Sequence, residues 1–116
     1  MLSTAIYPAF DRLPAVFSRV VSTGELRGRL GFRGVSVSDA LDTPPAASFG
    51  GPGRLALRAA RAGTDVVLFG GGYGAGATAA NTLARRLRAG RLPRRGFLRS
   101  VRRVMALRAA LRPRHR

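Results

Sequence analysis

Very few side chains in this chain can move protons or form bonds. Among its 116 residues are five carboxylates, one imidazole and no thiol. The carboxylates are Asp11, Glu25, Asp39, Asp42 and Asp65; the imidazole is His115, set in an arginine-rich terminus. The lack of cysteine excludes disulfides and thiolate metal sites. Because the one histidine, His115, sits in that arginine-rich tail, a His-based metal site or a Ser-His-Asp triad is nearly excluded. Asp39 stands apart because it follows Val35-Ser36-Val37-Ser38, a short β-branched run. A strand there delivers one carboxylate at its C-terminal end, where α/β barrels and open α/β sheets keep their reactive groups. Such a group acts as a nucleophile or a general acid/base. The competing reading is a polar residue that hydrogen-bonds its own loop. Asp42, three residues on, is close enough in sequence to approach Asp39 but reads as a cap of the following turn. Asp11 reads as a turn residue and Glu25 as an exposed helix residue. Asp65 precedes a strand, so it falls at the end opposite Asp39, on the structural face.

The elements that would position Asp39 follow from apolar spacing and breakers. Residues 2–7 form a short apolar strand, and 8–14 a loop carrying Asp11. Ser18 is a helix N-cap. The helix runs to about Leu30, with Val20, Thr23, Leu26 and Leu30 on one face at about 3.6 spacing. Gly31 stops it as a left-handed C′ residue. The second strand is 35–37. The loop 42–53 contains Pro44, Pro45 and adjacent glycines, which suits a βα loop above a sheet. A helix over 54–62 buries Leu55, Ala59 and Ala62 and ends at Gly63. Residues 65–69, Asp-Val-Val-Leu-Phe, are nearly continuous in apolar side chains, as a parallel strand covered on both faces would be. A glycine-rich turn over 70–76 leads to a helix over 78–89 that buries Ala80, Leu83 and Leu87, with Gly90 as C′. Pro93 opens a last helix with Phe97, Val101, Val104 and Leu111 on its apolar face. This order predicts an α/β fold of parallel strands with crossover helices.

Composition narrows the partners. The net charge is +16, and all 21 basic residues are arginine. A nucleic-acid binder selected for phosphate contacts more usually mixes arginine with lysine. Exclusive arginine in an Ala-, Gly- and Pro-rich sequence points instead to GC-biased coding. Arg-rich surfaces adhere to nucleic acid at low salt whatever their role. Arginine pairs at 85–86, 94–95 and 102–103 make Arg-rich nucleic-acid binding the alternative function. Against it, aromatics do not interleave with the arginines and no recognised nucleic-acid-binding motif occurs. Gly71 to Thr78 nearly fits a phosphate-binding loop, but Ala77 holds the lysine position, so a βα loop is the simpler reading. No apolar run approaches the roughly 18 residues of a membrane helix. The first residues lack the basic start of a signal peptide. They read as a strand from the outset, which suggests an internal methionine or a truncated chain.

The segment Leu26-Arg27-Gly28-Arg29-Leu30-Gly31-Phe32-Arg33-Gly34-Val35-Ser36-Val37-Ser38-Asp39 resembles the nucleophile strand of glycoside hydrolase family 3, in its β-N-acetylhexosaminidase branch. Ala5-Ile6-Tyr7-Pro8-Ala9-Phe10-Asp11 and Pro14-Ala15-Val16-Phe17-Ser18 are similar to the strand, Tyr-Pro loop and helix start upstream of it. Residues 59–69 resemble the Ala-x-x-Ala-Gly-x-Asp-x-x-Leu run into the next strand. Gly90-Arg91-Leu92 with residues 100–108 resembles the closing helix. The likeness spans nearly the whole chain in order.

The resemblance implies a partial (β/α)8 barrel, namely its last three βα units plus a C-terminal helix. A whole barrel needs at least about 200 residues. Residues 1–111 would be the C-terminal part of the barrel domain, and 112–116 a basic tail. Asp39 would be the nucleophile of a retaining glycosidase acting on β-linked N-acetylhexosaminides, with no metal or organic cofactor. The family's second group, a His paired with an Asp on a loop, has no counterpart here, and His115 matches no family position. Ser3-Thr4 stands where many members have Ala-His, and Thr43 where many have Met. The expectation is a chain that by itself turns over little or nothing and whose open sheet edges favour self-association.

Overall fold

Two parallel strands and a layer of helices carry out the predicted alternation. The computed structural model describes residues 1–111; the basic tail 112–116, with His115, lies outside the described residues. In chain order the elements are a 3₁₀ turn Ala15–Phe17, a π-helix Val20–Arg29, strand β1 Val37–Ala40, helices α1 Pro44–Ala47 and α2 Pro52–Ala62, strand β2 Val66–Leu68, and helices α3 Tyr73–Arg88 and α4 Arg94–Ala110. Strands β1 and β2 pair in parallel, Val37 opposite Val66 and Ala40 opposite Leu68. On the other edge of β1, the Leu2 N–H donates to the Val37 carbonyl at 2.7 Å, and the Asp39 N–H donates to the Leu2 carbonyl at 2.8 Å. Three consecutive segments therefore lie side by side in one direction.

The first segment is shorter than predicted. Leu2 forms one parallel bridge with Ser38, and Ile6 bridges antiparallel to Pro14. The reason is local: the Ala5 and Ser3 carbonyls accept the N–H groups of Ala15 and Val16, so residues 3–16 fold back on themselves. That return places Val16 and Phe17 in the core with Leu2, Leu41, Ala46, Leu55 and Ala59. Phe17 meets Phe49 at a centroid distance of 5.4 Å, tilted by 48°, an arrangement aromatic rings favour.

The helix after Ser18 departs from the 3.6 period. Ser18 does cap it, its hydroxyl accepting the Val21 N–H at 3.1 Å. The coil then widens to i→i+5 bonding, seen at its end in Leu30 N–H to Glu25 O at 2.9 Å. The wider coil buries Ser22 and packs Leu26 against the core, while Val20 and Leu30 are exposed. Ser22 tolerates burial because its hydroxyl donates to the Ala15 carbonyl at 2.7 Å. Gly31, Gly63 and Gly90 follow helix ends with φ of +66°, +104° and +68°, the left-handed stop expected of each. Helix α3 begins five residues before the predicted start, absorbing Gly74 and Gly76; it buries Ala79, while of the expected face Ala80 is exposed and Leu83 and Leu87 are only half-buried. Helix α4 buries no residue fully; Val101 of the expected face, Met105 beside it, and Leu111 just past the helix are exposed.

One buried carboxylate ties the lower end of the sheet together. The Asp65 side chain is fully buried and accepts from Arg27 at 2.6 Å and from Arg103 at 2.9 Å. It also accepts the Ser36 backbone N–H at 2.9 Å. It thus joins the π-helix, the residue leading into β1, β2 and α4. Burial pushes its pKa up. The Ser36 N–H, the Ser100 hydroxyl and the guanidinium groups of Arg103 and Arg27 together outweigh this and hold it below the ordinary carboxylate value. A carboxyl with a lowered folded-state pKa stabilises the fold at neutral pH and loses that contribution as the pH falls through the lowered value. Asp65→Asn is therefore expected to cost about 3 kcal/mol at pH 7, measured by urea unfolding. The gap to the parent chain should narrow below about pH 4, as the native carboxyl takes up its proton.

Candidate active site at the strand ends

A fault in the strand pairing aims Asp39. Between its two paired positions β1 advances three residues while β2 advances two. The extra residue makes a bulge at Ser38 and Asp39. A bulge leaves a ladder donor without its carbonyl, and here the fully buried Ser38 hydroxyl accepts that donor, the Leu68 N–H, at 2.9 Å. On the other edge, Leu2 keeps regular parallel bonds to β1. The distortion is thus confined to one side, and Asp39 comes out exposed within β1 rather than after it as predicted. One Asp39 carboxylate oxygen accepts the Ala40 N–H at 2.8 Å. Its second oxygen has no protein partner among the described residues.

Asp42 lies two residues beyond β1 at the same end. It does not cap its own turn. Its carboxylate accepts the Gly70 N–H at 2.9 Å and the Gly71 N–H as well, clasping the loop after β2. These two N–H bonds, Gly70 first, hold its pKa below the ordinary value. A Cβ on Gly71 would stand 2.7 Å from the Asp42 carboxylate, so close approach, not backbone freedom, requires that glycine. The glycine-rich turn thus ends at Gly72, with φ +147°, and has a structural purpose in the carboxylate it receives.

The remaining carboxylates lie elsewhere. Asp11 accepts the Ser18 hydroxyl at 2.6 Å and the Arg12 N–H at 2.7 Å; the Ser18 bond is the main cause of its lowered pKa. Glu25 pairs with Arg29 one turn along its helix. Asp65 sits at the N-terminal end of β2, opposite the Asp39 end, as its sequence position predicted. Sequence reasoning missed Ser38. A serine alternating with Ser36 at inward strand positions was the available signal, since a buried hydroxyl must find a partner. Among the described residues no group of three His, Cys, Asp or Glu could hold a metal ion. None of the described helices is long and apolar enough to cross a membrane.

Parallel strands carrying an exposed carboxylate at their C-terminal ends, backed by helices, define a small α/β protein. The profile of the glycosyl hydrolase family 3 N-terminal domain matches residues 1–107, and the chain belongs to that family. An uncharacterised secreted glycosyl hydrolase of Arthroderma benhamiae is 38% identical over 113 residues, covering 96% of this chain and 32% of that protein. A β-hexosaminidase of Chromobacterium violaceum is 50% identical over 68 residues, covering 59% of this chain and 19% of that one. Among solved structures, a family 3 β-N-acetylglucosaminidase from a Paenibacillus strain superposes with a TM-score of 0.85 at 36% identity, covering 92% of this chain and 21% of the other. A β-N-acetylhexosaminidase from Beutenbergia cavernae gives 0.77 at 33% identity, covering 92% and 32%. The chain therefore spans about a third or less of the length of the relatives it matches.

The bulge has a measurable cost if its hydroxyl is removed. Ser38→Ala leaves the Leu68 N–H without an acceptor and is expected to destabilise the chain by about 1–2 kcal/mol in urea unfolding. Hydrogen exchange should speed up at Leu68 in that variant, while Val66, bonded to the Ser36 carbonyl, stays protected.

Proposed function

We propose that residues 1–111 are the C-terminal three βα units of a family 3 barrel and that they carry the nucleophile half of a retaining β-N-acetylhexosaminidase site. The observation that carries this reading is Asp39: an exposed carboxylate with one unengaged oxygen, at the C-terminal end of a parallel strand, in a chain of this family. The matched relatives named for hexosaminide or N-acetylglucosaminide hydrolysis supply the sugar class. In the retaining route one Asp39 oxygen attacks the anomeric carbon and the glycosidic C–O bond breaks. A second group, about 5 Å away, protonates the departing oxygen and then draws a proton from water to release the sugar.

No other carboxylate among the described residues suits that second task. A general acid needs a raised pKa, and Asp11, Asp42 and Asp65 are all held low by their hydrogen bonds and charges. Glu25 is occupied by Arg29. The second group has to come from elsewhere in a complete site. Without it the chain forfeits about 10²–10⁴ in rate. The free edge of β2 and the exposed apolar residues of α4 are where the isolated chain would self-associate.

The test uses two proteins. The 116-residue chain alone is expected to leave 4-nitrophenyl N-acetylglucosaminide unhydrolysed. Residues 1–111, grafted in place of the matching third of the Beutenbergia enzyme, are expected to restore turnover, and Asp39→Asn in the graft to lower kcat by about 10³-fold or more. Turnover by the isolated chain, or a graft indifferent to Asp39→Asn, contradicts the assignment.

A further inference from the structure

Away from the strand ends, an open cleft of about 710 Å³ lies between the start of the π-helix, α2 and α3. Five arginines line it: Arg19, Arg54, Arg58, Arg61 and Arg86, with Thr82 beside them and no carboxylate. We propose that this cleft is a binding site for a compact polyanion of the oligophosphate class. The glycosidase reading makes no use of it.

Three of the arginines are held in place before any ligand arrives. The Arg58 guanidinium lies 6.0 Å from the Phe49 ring centroid, and its Nε is buried with no hydrogen-bond partner among the described residues. Arg61 is anchored by donating to the Arg91 carbonyl at 2.7 Å. Arg19 donates to the Arg61 carbonyl at 3.5 Å. Like charges drawn together without an internal counter-charge repel, and an anion relieves that repulsion. Four of the chain's five carboxylates are engaged elsewhere, and Asp39 faces solvent at the strand ends. A neighbouring hollow shares Arg19 and Arg61, but two of its other arginines, Arg27 and Arg103, already pair with Asp65. Its charge is partly met, whereas that of the cleft is not.

The shape selects the ligand. The cleft volume falls in the range of small-molecule sites, and it is a hollow rather than a ridge that could track a duplex. The one aromatic in its wall, Phe17, is buried, so there is no platform on which bases could stack. Arginine forks converging from three elements match the oxygens of adjacent phosphates, each accepting two parallel N–H bonds.

Isothermal titration of the 116-residue chain with sodium tripolyphosphate at about 0.15 M salt tests this. One saturating site per chain is expected. Arg58→Gln with Arg86→Gln should weaken it roughly tenfold or more, since each lost arginine removes charge-assisted bonds. Arg102→Gln with Arg108→Gln removes the same charge outside the cleft and should change affinity less than about twofold, the effect left to general attraction. If circular dichroism shows the first pair unfolded, Arg54→Gln with Arg86→Gln makes the same comparison. Equal weakening by the cleft and outer pairs overturns the site. So does the absence of saturation, or a short DNA duplex that binds more tightly than tripolyphosphate.

Discussion

The Asp65 carboxylate is the contact on which the rest of this small fold depends. Only two short strands pair, and those across a register shift, while no helix pair other than α2 with α3 packs extensively. Coherence between the π-helix, β1, β2 and α4 comes from one buried anion answered by Arg27, Arg103 and the Ser36 N–H. Burying a charge is costly unless it is paired and hydrogen-bonded, and both Asp65 oxygens are answered by donors. Because the anion locks the N-terminal end of the sheet, the C-terminal end is free to be shaped by loops. The same division between a structural and a reactive face governs barrel enzymes.

At the C-terminal end of the strands, two carboxylates three residues apart have opposite fates, decided by local geometry. Asp42 is spent on holding two loops together, and its Gly70 and Gly71 partners fix it as an anion. Asp39 is turned out by a bulge whose cost the Ser38 hydroxyl offsets, leaving an oxygen unengaged. The bulge is therefore a positioning device: straightening β1 would change the face to which Asp39 points. Among the described carboxylates only Asp39 keeps an oxygen unengaged and has no charged partner, so the proposed site assigns it the nucleophile role and takes its proton donor from elsewhere.

The glycine stops at 31, 63 and 90, Pro93 at the head of the last helix, and the placing of Asp65 opposite Asp39 were all readable from residue type, because each depends on local backbone preference or strand polarity. The family itself was readable from the run around Asp39. What failed depended on partners distant in sequence or on unusual winding. The π-helix defeated a 3.6-residue face because Ser18 and Ser22 are buried through bonds to Asp11 and the Ala15 carbonyl. The strand expected over 2–7 shrank to one parallel bridge at Leu2 because the N–H groups of Ala15 and Val16 took the Ala5 and Ser3 carbonyls. The early start of α3 ran against the poor helix propensity of Gly74 and Gly76, with Gly71 already drawn to Asp42 at the end of the preceding turn.

The chain's central chemical claim is that Asp39 bonds to a sugar. Its most direct test is to trap that bond. The grafted barrel would be treated with a fluorinated N-acetylglucosaminide whose glycosyl-enzyme is released slowly, then quenched, digested and mapped by mass spectrometry. One added sugar on the peptide containing Asp39, fragmenting at that residue, is the outcome this account requires. A sugar found on another carboxylate, or an active graft that never carries one, would contradict it.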